Sequence, residues 1–305
     1  MSGRPRLAVT LGDPRGIGPE IVARSLESFP DADIVLVGAE EQIAPIPAAE
    51  RVSVGKWPGG QAGGGHTDAI RAGRIAGHAV ETAARLALEG KVDAIVTAPV
   101  EKHALHLAGF QYPGHTEWLA HLAGDVEVAM MLAAASLRVV LVTTHVPLRD
   151  VPMLLTTDKL IRIGRVTERG LREWFGIASP RLALCALNPH AGEQGLFGDE
   201  EERVLRPAAK KLGAAGPFPA DTVFVRAMRG EFDAVLAPYH DVGMTAIKVA
   251  AFGEGVNVTL GLPFPRTSPD HGTAFDIVGT GKADPSSMRA ALEMAVALAR
   301  RVAGA

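Results

Sequence analysis

The stretch LAVTLGDPRGIGPE, from Leu7 to Glu20, contains the unit from which the fold is built. Its first part, Leu7–Leu11, is a short run of β-forming and apolar residues. Glycines and a proline then mark a turn, and Pro19 suits the first turn of a helix because its missing N–H is not needed there. The stretch therefore predicts a strand, a loop and a helix in succession, which is the repeating unit of an α/β protein.

The same alternation continues along the chain, where short apolar runs are separated by segments of helical period. The predicted strands are Leu7–Leu11, Ile34–Val37, Ala94–Thr97, Val139–Thr143, Leu182–Leu187 and Ala234–Ala237. The predicted helices are Ala69–Leu88, Leu160–Trp174 and Ser286–Val302. No polar linker divides the chain, so we expect two lobes of which one is discontinuous: residues 1–120 with 265–305, and residues 121–264.

Composition excludes several classes of protein. With 305 residues, 47% of them hydrophobic, the chain can bury a substantial core. Its 31 basic and 34 acidic residues are mixed and offer no basic stripe for nucleic acid. Residues Met1–Arg6 lack the apolar core of a signal peptide, and no apolar run is long enough for a membrane span. The single cysteine, Cys185, lies in an apolar run, which predicts a buried thiol in a reducing, cytoplasmic environment.

Three histidines occupy equivalent places, each just after a predicted strand. His145 follows Val139–Thr143, His190 follows Leu182–Leu187, and His240 follows Ala234–Ala237. Loops at the carboxyl edge of an open α/β sheet carry the ligand-binding residues. A single such histidine is more often an ordinary loop residue, but three in the same position predict a divalent metal site with open coordination positions.

A second set of residues has the character of an anion site. Gly114-His115-Thr116-Glu117 precedes an apolar helical pattern, so Thr116 either caps a helix or also helps its N-terminus to bind an anion. Lys248, Asn257 and Arg266 add cationic and amide donors in surroundings rich in apolar residues and glycine. A phosphate or a carboxylate is the expected ligand.

No G-x-G-x-x-G occurs in the chain, so a nicotinamide cofactor is not held by a Rossmann loop. The block Asp270–Gly281 is the candidate instead, since Gly272, Gly279 and Gly281 permit close backbone approach to a pyrophosphate. Its alternative interpretation is an ordinary glycine-containing connection into the last helix.

Several long blocks carry a family resemblance. They are GDPRGIGPE from Gly12, TAPVEKHALHLAGFQYPGHTE from Thr97, NPHAGEQGLFGDEE from Asn188, GPFPADTVF from Gly216, YHDVGMTAIK from Tyr239 and GVNVTLGLPFPRTSPDHGTAFDIVGTGKAD from Gly255. In this order they resemble the 4-hydroxythreonine-4-phosphate dehydrogenase family, including its threonate and erythronate phosphate dehydrogenase relatives. The tail from His271 is also similar to the nucleotide-binding region of isocitrate and isopropylmalate dehydrogenases. The resemblance implies a two-lobed α/β fold of that dehydrogenase type, with the active site in the cleft between the lobes.

The resemblance also implies the chemistry, which is NAD- or NADP-dependent oxidation of 4-phosphohydroxy-L-threonine followed by decarboxylation to 3-amino-2-oxopropyl phosphate. A zinc, magnesium or cobalt ion would be held by His145 and His190 of one chain and His240 of the other, in a homodimer with shared active sites. The second lobe would supply these metal ligands and the dimer contacts. The implied substrate-binding residues are His115, Thr116, Lys248, Asn257 and Arg266. Asp221, Asp241 and Lys248 are the catalytic candidates, and His271, Gly272, Asp276 and Gly279 the cofactor-binding ones.

The chain departs from the family pattern at three places. Arg15 stands where alanine is common, Val242 where glutamine is common, and Pro265 precedes Arg266. The substrate therefore stays open between 4-phosphohydroxy-L-threonine and another 4-phosphorylated hydroxy acid, threonate or erythronate 4-phosphate. A metal-dependent phosphohydrolase and a noncatalytic phosphosugar-binding protein are the alternatives from other classes.

Overall fold

The computed structural model describes residues 3–59, 65–251 and 253–304. The strands are β1 (Arg6–Thr10), β2 (Asp33–Gly38), β3 (Glu50–Ser53), β4 (Ala94–Thr97), β5 (Ala129–Ala134), β6 (Leu137–Leu141), β7 (Leu182–Cys185), β8 (Ala215–Phe218), β9 (Ala234–Ala237), β10 (Val256–Leu260) and β11 (Arg266–Pro269). The α-helices are α1 (Gly18–Leu26), α2 (Glu40–Ile43), α3 (His66–Leu88), α4 (Lys102–Leu107), α5 (His115–Leu122), α6 (Val151–Leu154), α7 (Thr157–Glu173), α8 (Arg206–Leu212), α9 (Ala220–Met228), α10 (His240–Ala250) and α11 (Ser286–Ala303). The predicted mixed α/β fold is confirmed.

Each strand and helix predicted from the sequence is present, with ends that differ by a few residues. The strands that the sequence did not predict are β3, β5, β8, β10 and β11. Three of them lack a β-branched apolar run: β3 is mostly polar, β5 is built from alanine, methionine and leucine, and β11 reads RTSP. Their strand conformation depends on neighbouring strands rather than on local preference.

The chain divides into two compact units, of which unit 1 comprises residues 1–126 and 262–305. Its strands follow the order β3-β2-β1-β4-β11 and pair in parallel. Residues Leu7–Val9 of β1 and Ala94–Val96 of β4 are fully buried, as expected for central strands of a parallel sheet. The α1 helix has a proline in its first turn, so the strand, loop and helix read from the opening stretch are confirmed.

Unit 2 comprises residues 127–261, with strand order β10-β5-β6-β9-β7-β8. The first three strands pair antiparallel, and β6, β9, β7 and β8 pair in parallel. Cys185 at the end of β7 is buried, as predicted, and burial raises the pKa of its thiol to about 12. Because β6, β9 and β7 are parallel neighbours, the loops that follow them leave the same edge of the sheet.

Among the helices in the described part of the chain, none combines the length and the apolar character needed to cross a lipid bilayer.

Candidate functional site

The carboxyl edge of the unit 2 sheet carries the three candidate metal ligands. His145 follows β6, His190 follows β7, and His240 is the first residue of α10, directly after β9. The imidazole rings of His145 and His240 are 5.5 Å apart between centroids, within one chain. The adjacent parallel strands β6 and β9 place these two rings side by side. The contribution of His240 from a second chain stays a prediction.

The separation of the two rings is compatible with a shared metal ion. Two imidazoles on one tetrahedral zinc, with Zn–N distances of about 2.1 Å, have ring centroids roughly 5 Å apart, close to the observed 5.5 Å. The Nδ1 atom of His240 is 2.7 Å from Asp241 Oδ1, a contact that orients the ring and leaves Nε2 for a ligand. Within residues 3–59, 65–251 and 253–304, no three metal-binding side chains lie close enough together to hold an ion. His190 therefore does not lie beside His145 and His240.

His190 lies on an unusual loop. Residues 190–194 all have positive φ, and four of them, His190, Ala191, Glu193 and Gln194, are not glycine. That conformation is costly and persists only where surrounding contacts impose it. Here the buried carboxylate of Glu201 accepts hydrogen bonds from the backbone N–H groups of Leu187 (2.9 Å) and Asn188 (2.8 Å) and from the Asn188 side chain (2.9 Å). Glu201 therefore fixes the start of the loop that presents His190.

Unit 1 contains a compact set of cationic and polar groups around Arg266. The Arg266 side chain is buried, and its Nε and Nη2 donate to Thr97 Oγ1 over 3.2 and 2.6 Å. Burial lowers the pKa of Arg266 to about 10, against an opposing effect of Glu117, so the guanidinium stays charged at neutral pH.

His115 is close enough to Arg266 for the two to interact. Burial, followed by the charges of Arg266 and Lys102, lowers the pKa of His115 to about 3, so the imidazole is neutral. Its Nε2 atom is buried and has no hydrogen-bond partner among the described residues. A neutral imidazole with an unused nitrogen beside a guanidinium is suited to hydrogen-bond an anionic oxygen.

Packing within unit 1 holds the α5 helix in place. Trp118 on α5 is buried and stacks on Tyr112, and it also contacts the ring of Phe110. Gly77 on α3 makes room for Phe110, since a Cβ there would lie 2.1 Å from the ring. The helix cap is Gly114, so Thr116 is a buried residue of the first turn and not the cap that one interpretation of the sequence expected.

The remaining catalytic and substrate candidates lie in unit 2. Asp221 on α9 and Asp241 on α10 line one open groove of about 640 Å³, together with Tyr239. Lys248 lies in the last turn of α10 and Asn257 on β10. The Oδ1 atom of Asn257 is buried without a hydrogen-bond partner in the described part of the chain, which marks a polar group suited to a ligand.

The cofactor candidates form part of the segment that follows β11. Gly272 and Gly279 face open space, since a Cβ at either position would meet no atom of the described residues within 4 Å. Asp276 is exposed on a short 3-10 turn, Phe275–Ile277. His271 Nδ1 contacts its neighbour's carbonyl, whereas Nε2 is buried and unpartnered within the described ranges. An exposed glycine-containing segment with an unused imidazole nitrogen fits a nucleotide.

Sequence reasoning missed three residues of these sites. Thr97 holds Arg266, Lys102 acts on His115, and Tyr239 lines the groove with the two aspartates. All three residues lie in the sequence blocks quoted above, but the sequence predicted no role for them. Their contacts are with residues distant in sequence or depend on the orientation of a helix.

Comparison with known proteins identifies the family of the chain. The family model of the pyridoxal phosphate biosynthetic protein PdxA matches residues 30–295. A 4-hydroxythreonine-4-phosphate dehydrogenase of Geobacter metallireducens is 44% identical, covering 97% of this chain and 96% of that protein. A D-threonate 4-phosphate dehydrogenase of Salmonella typhimurium is 42% identical, covering 96% and 98%.

A solved structure supports the same relationship. The crystal structure of a 4-hydroxythreonine-4-phosphate dehydrogenase from Klebsiella pneumoniae matches with a TM-score of 0.83 at 40% identity, covering 97% of this chain and 99% of that one. The resemblance drawn from the sequence blocks is thereby confirmed. The chain belongs to the family of the pyridoxal phosphate biosynthetic protein PdxA.

Proposed function

We propose that the chain is a metal-dependent NAD(P) dehydrogenase of a phosphorylated hydroxy acid. The proposed reaction oxidises 4-phosphohydroxy-L-threonine to a 3-keto acid, which loses carbon dioxide to give 3-amino-2-oxopropyl phosphate in pyridoxal 5'-phosphate biosynthesis. The observation that carries the proposal is the buried guanidinium of Arg266 beside the neutral imidazole of His115. Both named relatives are dehydrogenases of 4-phosphates.

In this proposal unit 1 binds the phosphate. Arg266 presents a planar set of N–H donors that matches phosphate oxygens. His115 Nε2 supplies a further hydrogen bond, Thr116 adds a hydroxyl, and the backbone N–H groups at the start of α5 favour negative charge. Fixing the phosphate orients the C3 hydrogen of the substrate for transfer.

The proposed metal ligands are His145 and His240, whose rings lie together, and His190, which has to approach them from its own loop. The bound ion would supply Lewis-acid stabilisation of the negative charge that develops on the substrate oxygen. Among zinc, magnesium and cobalt, imidazole donors disfavour magnesium, which prefers oxygen ligands. Asp241 holds the His240 ring through its contact with Nδ1.

Two side chains of unit 2 are proposed to move protons. Oxidation takes a proton from the C3 hydroxyl and a hydride from C3, and the Asp221 carboxylate accepts the proton. After carbon dioxide leaves, the carbon that carried it needs a proton, which Lys248 Nζ supplies. Asn257 Oδ1 accepts a hydrogen bond from the substrate and so helps to orient it.

The nucleotide is proposed to bind along the segment that contains His271, Gly272, Asp276 and Gly279. NAD or NADP would accept the hydride at its nicotinamide ring. The open space at Gly272 and Gly279 admits a pyrophosphate close to the backbone, and His271 Nε2 is available for a hydrogen bond.

A second substrate class is supported by one finding. The D-threonate 4-phosphate dehydrogenase is 42% identical to this chain, close to the 44% of the hydroxythreonine enzyme. Threonate 4-phosphate, with its erythronate isomer, is therefore the alternative substrate. The phosphate contacts proposed for Arg266 and His115 serve both substrates equally.

We propose further that the enzyme is a cytoplasmic homodimer with shared active sites. The groove between α9 and α10 is bordered by exposed apolar side chains, Val225 at 45%, Met228 at 46% and Val249 at 83% exposure. A second copy covering these residues would remove them from water and would border Asp221 and Asp241.

The decisive experiment is a panel assay that follows nicotinamide reduction with each 4-phosphate, NAD or NADP, and protein that is metal-loaded or stripped by a chelator. Turnover that needs both a nucleotide and the metal supports the proposal. Phosphate release without nucleotide would identify a phosphohydrolase instead. Ligand binding without turnover under any condition would identify a noncatalytic binding protein.

A further inference from the structure

A buried arginine, Arg15, connects three segments of unit 1. It lies in the loop between β1 and α1, and its side chain is 2% exposed. Its Nε and Nη2 donate to the two oxygens of Asp13 over 3.0 and 2.7 Å, which is a bidentate fork. Nη2 also donates to Glu101 Oε2 over 2.6 Å, just before α4. The guanidinium is therefore held in one orientation by two carboxylates from different loops.

The third segment is the one proposed to bind the nucleotide. The Cζ atom of Arg15 lies 5.2 Å from the ring centroid of Phe275, a cation–π contact. Beside it, the backbone N–H of Ile17 donates to the carbonyl of Thr273 over 3.0 Å. Gly16 permits this approach, because a Cβ there would lie 2.9 Å from the same carbonyl oxygen. The β1–α1 loop thus supports residues 273–275 from one side.

Nearby positions of the same segment face open space. A Cβ at Gly272, Gly279 or Gly281 would meet no atom within 4 Å in the described part of the chain, and the last two glycines have φ of +71° and +72°. The segment from His271 to Gly281 is accordingly held at Thr273 and Phe275 and open at its glycines. A ligand that binds a glycine-containing segment has to order it, and a contact that orders it beforehand reduces that cost.

We propose that Arg15 is a positioning residue for the nicotinamide nucleotide. This inference rests on the proposed function. Arg15 holds Phe275 through the cation–π contact, and the fork to Asp13 and the bond to Glu101 fix the guanidinium in place. It does not touch the nucleotide. Its role is to keep the segment from His271 to Gly281 in the conformation that binds.

The test compares the wild-type chain with Phe275→Leu, which removes the ring but leaves Arg15 and both carboxylates paired. Arg15→Lys is the second variant, since lysine keeps the charge and loses the fork and the planar face. The matched control is Phe175→Leu, because Phe175 makes a similar contact with Arg138, at 5.0 Å, in unit 2. Each protein is examined by calorimetric titration with NAD and NADP, by steady-state kinetics, and by trypsin cleavage after the exposed Lys282.

Loss of one partly buried cation–π contact corresponds to a rise of about tenfold in the Kd for nucleotide. We expect that rise in both variants, with a higher KM for nucleotide, little change in kcat, and faster cleavage after Lys282. The control should match the wild type in Kd, KM, kcat and the rate of cleavage after Lys282. A wild-type Kd in both variants would overturn the role of Arg15 while leaving the proposed function standing. A wild-type chain that binds neither nucleotide would overturn the proposed function itself, and this role with it.

Discussion

Arg266 retains a positive charge in the interior of unit 1, where its Nε and Nη2 atoms donate to the hydroxyl of Thr97. Burying a cation is costly unless its surroundings compensate. Glu117 offsets part of that cost, since its charge opposes the fall in the Arg266 pKa. A bound phosphate would therefore offset more of the cost of burying the Arg266 charge.

Replacing Arg266 by alanine should strongly weaken the binding of phosphorylated substrate. Charge-assisted hydrogen bonds worth about 1.5–3 kcal/mol correspond to a roughly 10- to 100-fold rise in substrate Kd. Binding is measured by calorimetry, with Arg266→Lys as the charge-preserving comparison. Thermal melting separates folding from binding. If Arg266→Ala melts early and its folded fraction binds substrate normally, Arg266 is structural.

His115 should make the stability of the protein depend on pH. Its pKa is about 3 in the folded state, against 6.5 for an ordinary histidine. As the pH falls from 6.5 towards 3, the unfolded chain takes up a proton that the folded chain does not, so stability decreases. His115→Gln should flatten this part of the curve of unfolding free energy against pH.

Urea unfolding across that pH range measures the effect. His103→Gln, which replaces an exposed histidine of α4, is the matched control. A His115→Gln curve that runs parallel to the wild-type curve would contradict the buried neutral state of His115.

At the scale of elements, parallel strand order explains why residues far apart in sequence meet. The loops after β6, β9 and β7 leave one edge because these strands are neighbours, and β9 lies between the other two. The sequence indicated the three strand-end histidines but not which strands are adjacent. The pair formed by His145 and His240 follows directly from the contact between β6 and β9.

The loop that carries His190 supplies a prediction at this scale. Glu201→Gln replaces one carboxylate oxygen by an NH2 group, which would face the donating side chain of Asn188. Zinc affinity should fall by about 10- to 100-fold, the usual cost of losing a group that orients a metal ligand. Stability should fall by about 1–3 kcal/mol, because a buried donor loses its acceptor.

Calorimetric titration of metal-free protein with zinc, together with urea unfolding, measures both effects. Glu202→Gln is the control, since Glu202 is exposed and pairs with Arg206 on the same helical turn. Zinc binding by Glu201→Gln that equals the wild type would show that the loop does not need this carboxylate.

At the scale of the whole molecule, the apolar border of the α9–α10 groove tests the proposed dimer. Val249→Glu places a charge on a side chain that is 83% exposed in one chain. If a second copy covers it, burying that charge should shift the protein towards monomer. Light scattering during size-exclusion chromatography measures the mass. Met153→Glu, at a residue 78% exposed on α6, is the control, and a monomeric wild type would refute the dimer.

The sequence by itself determined the α/β class, the central strands and the long helices. Those elements carry their own signal, since Leu7–Leu11 and Ala234–Ala237 are apolar runs and α3 and α11 have apolar faces of helical period. It also identified the three strand-end histidines, because a position just after a strand is a local property. The family resemblance, carried by long contiguous blocks, came from the sequence in the same way.

Tertiary structure alone decided which of these groups meet and in what state. The pairing of His145 with His240 depends on strand order, which no local pattern encodes. The neutral state of His115 depends on burial beside Arg266, 151 positions further along the chain by residue number. In the sequence, Arg15 is only a loop residue that departs from the family pattern. Packing places it between Asp13, Glu101 and Phe275. Desolvation and charge act through space, so their effects are set only when the folded chain brings distant residues together.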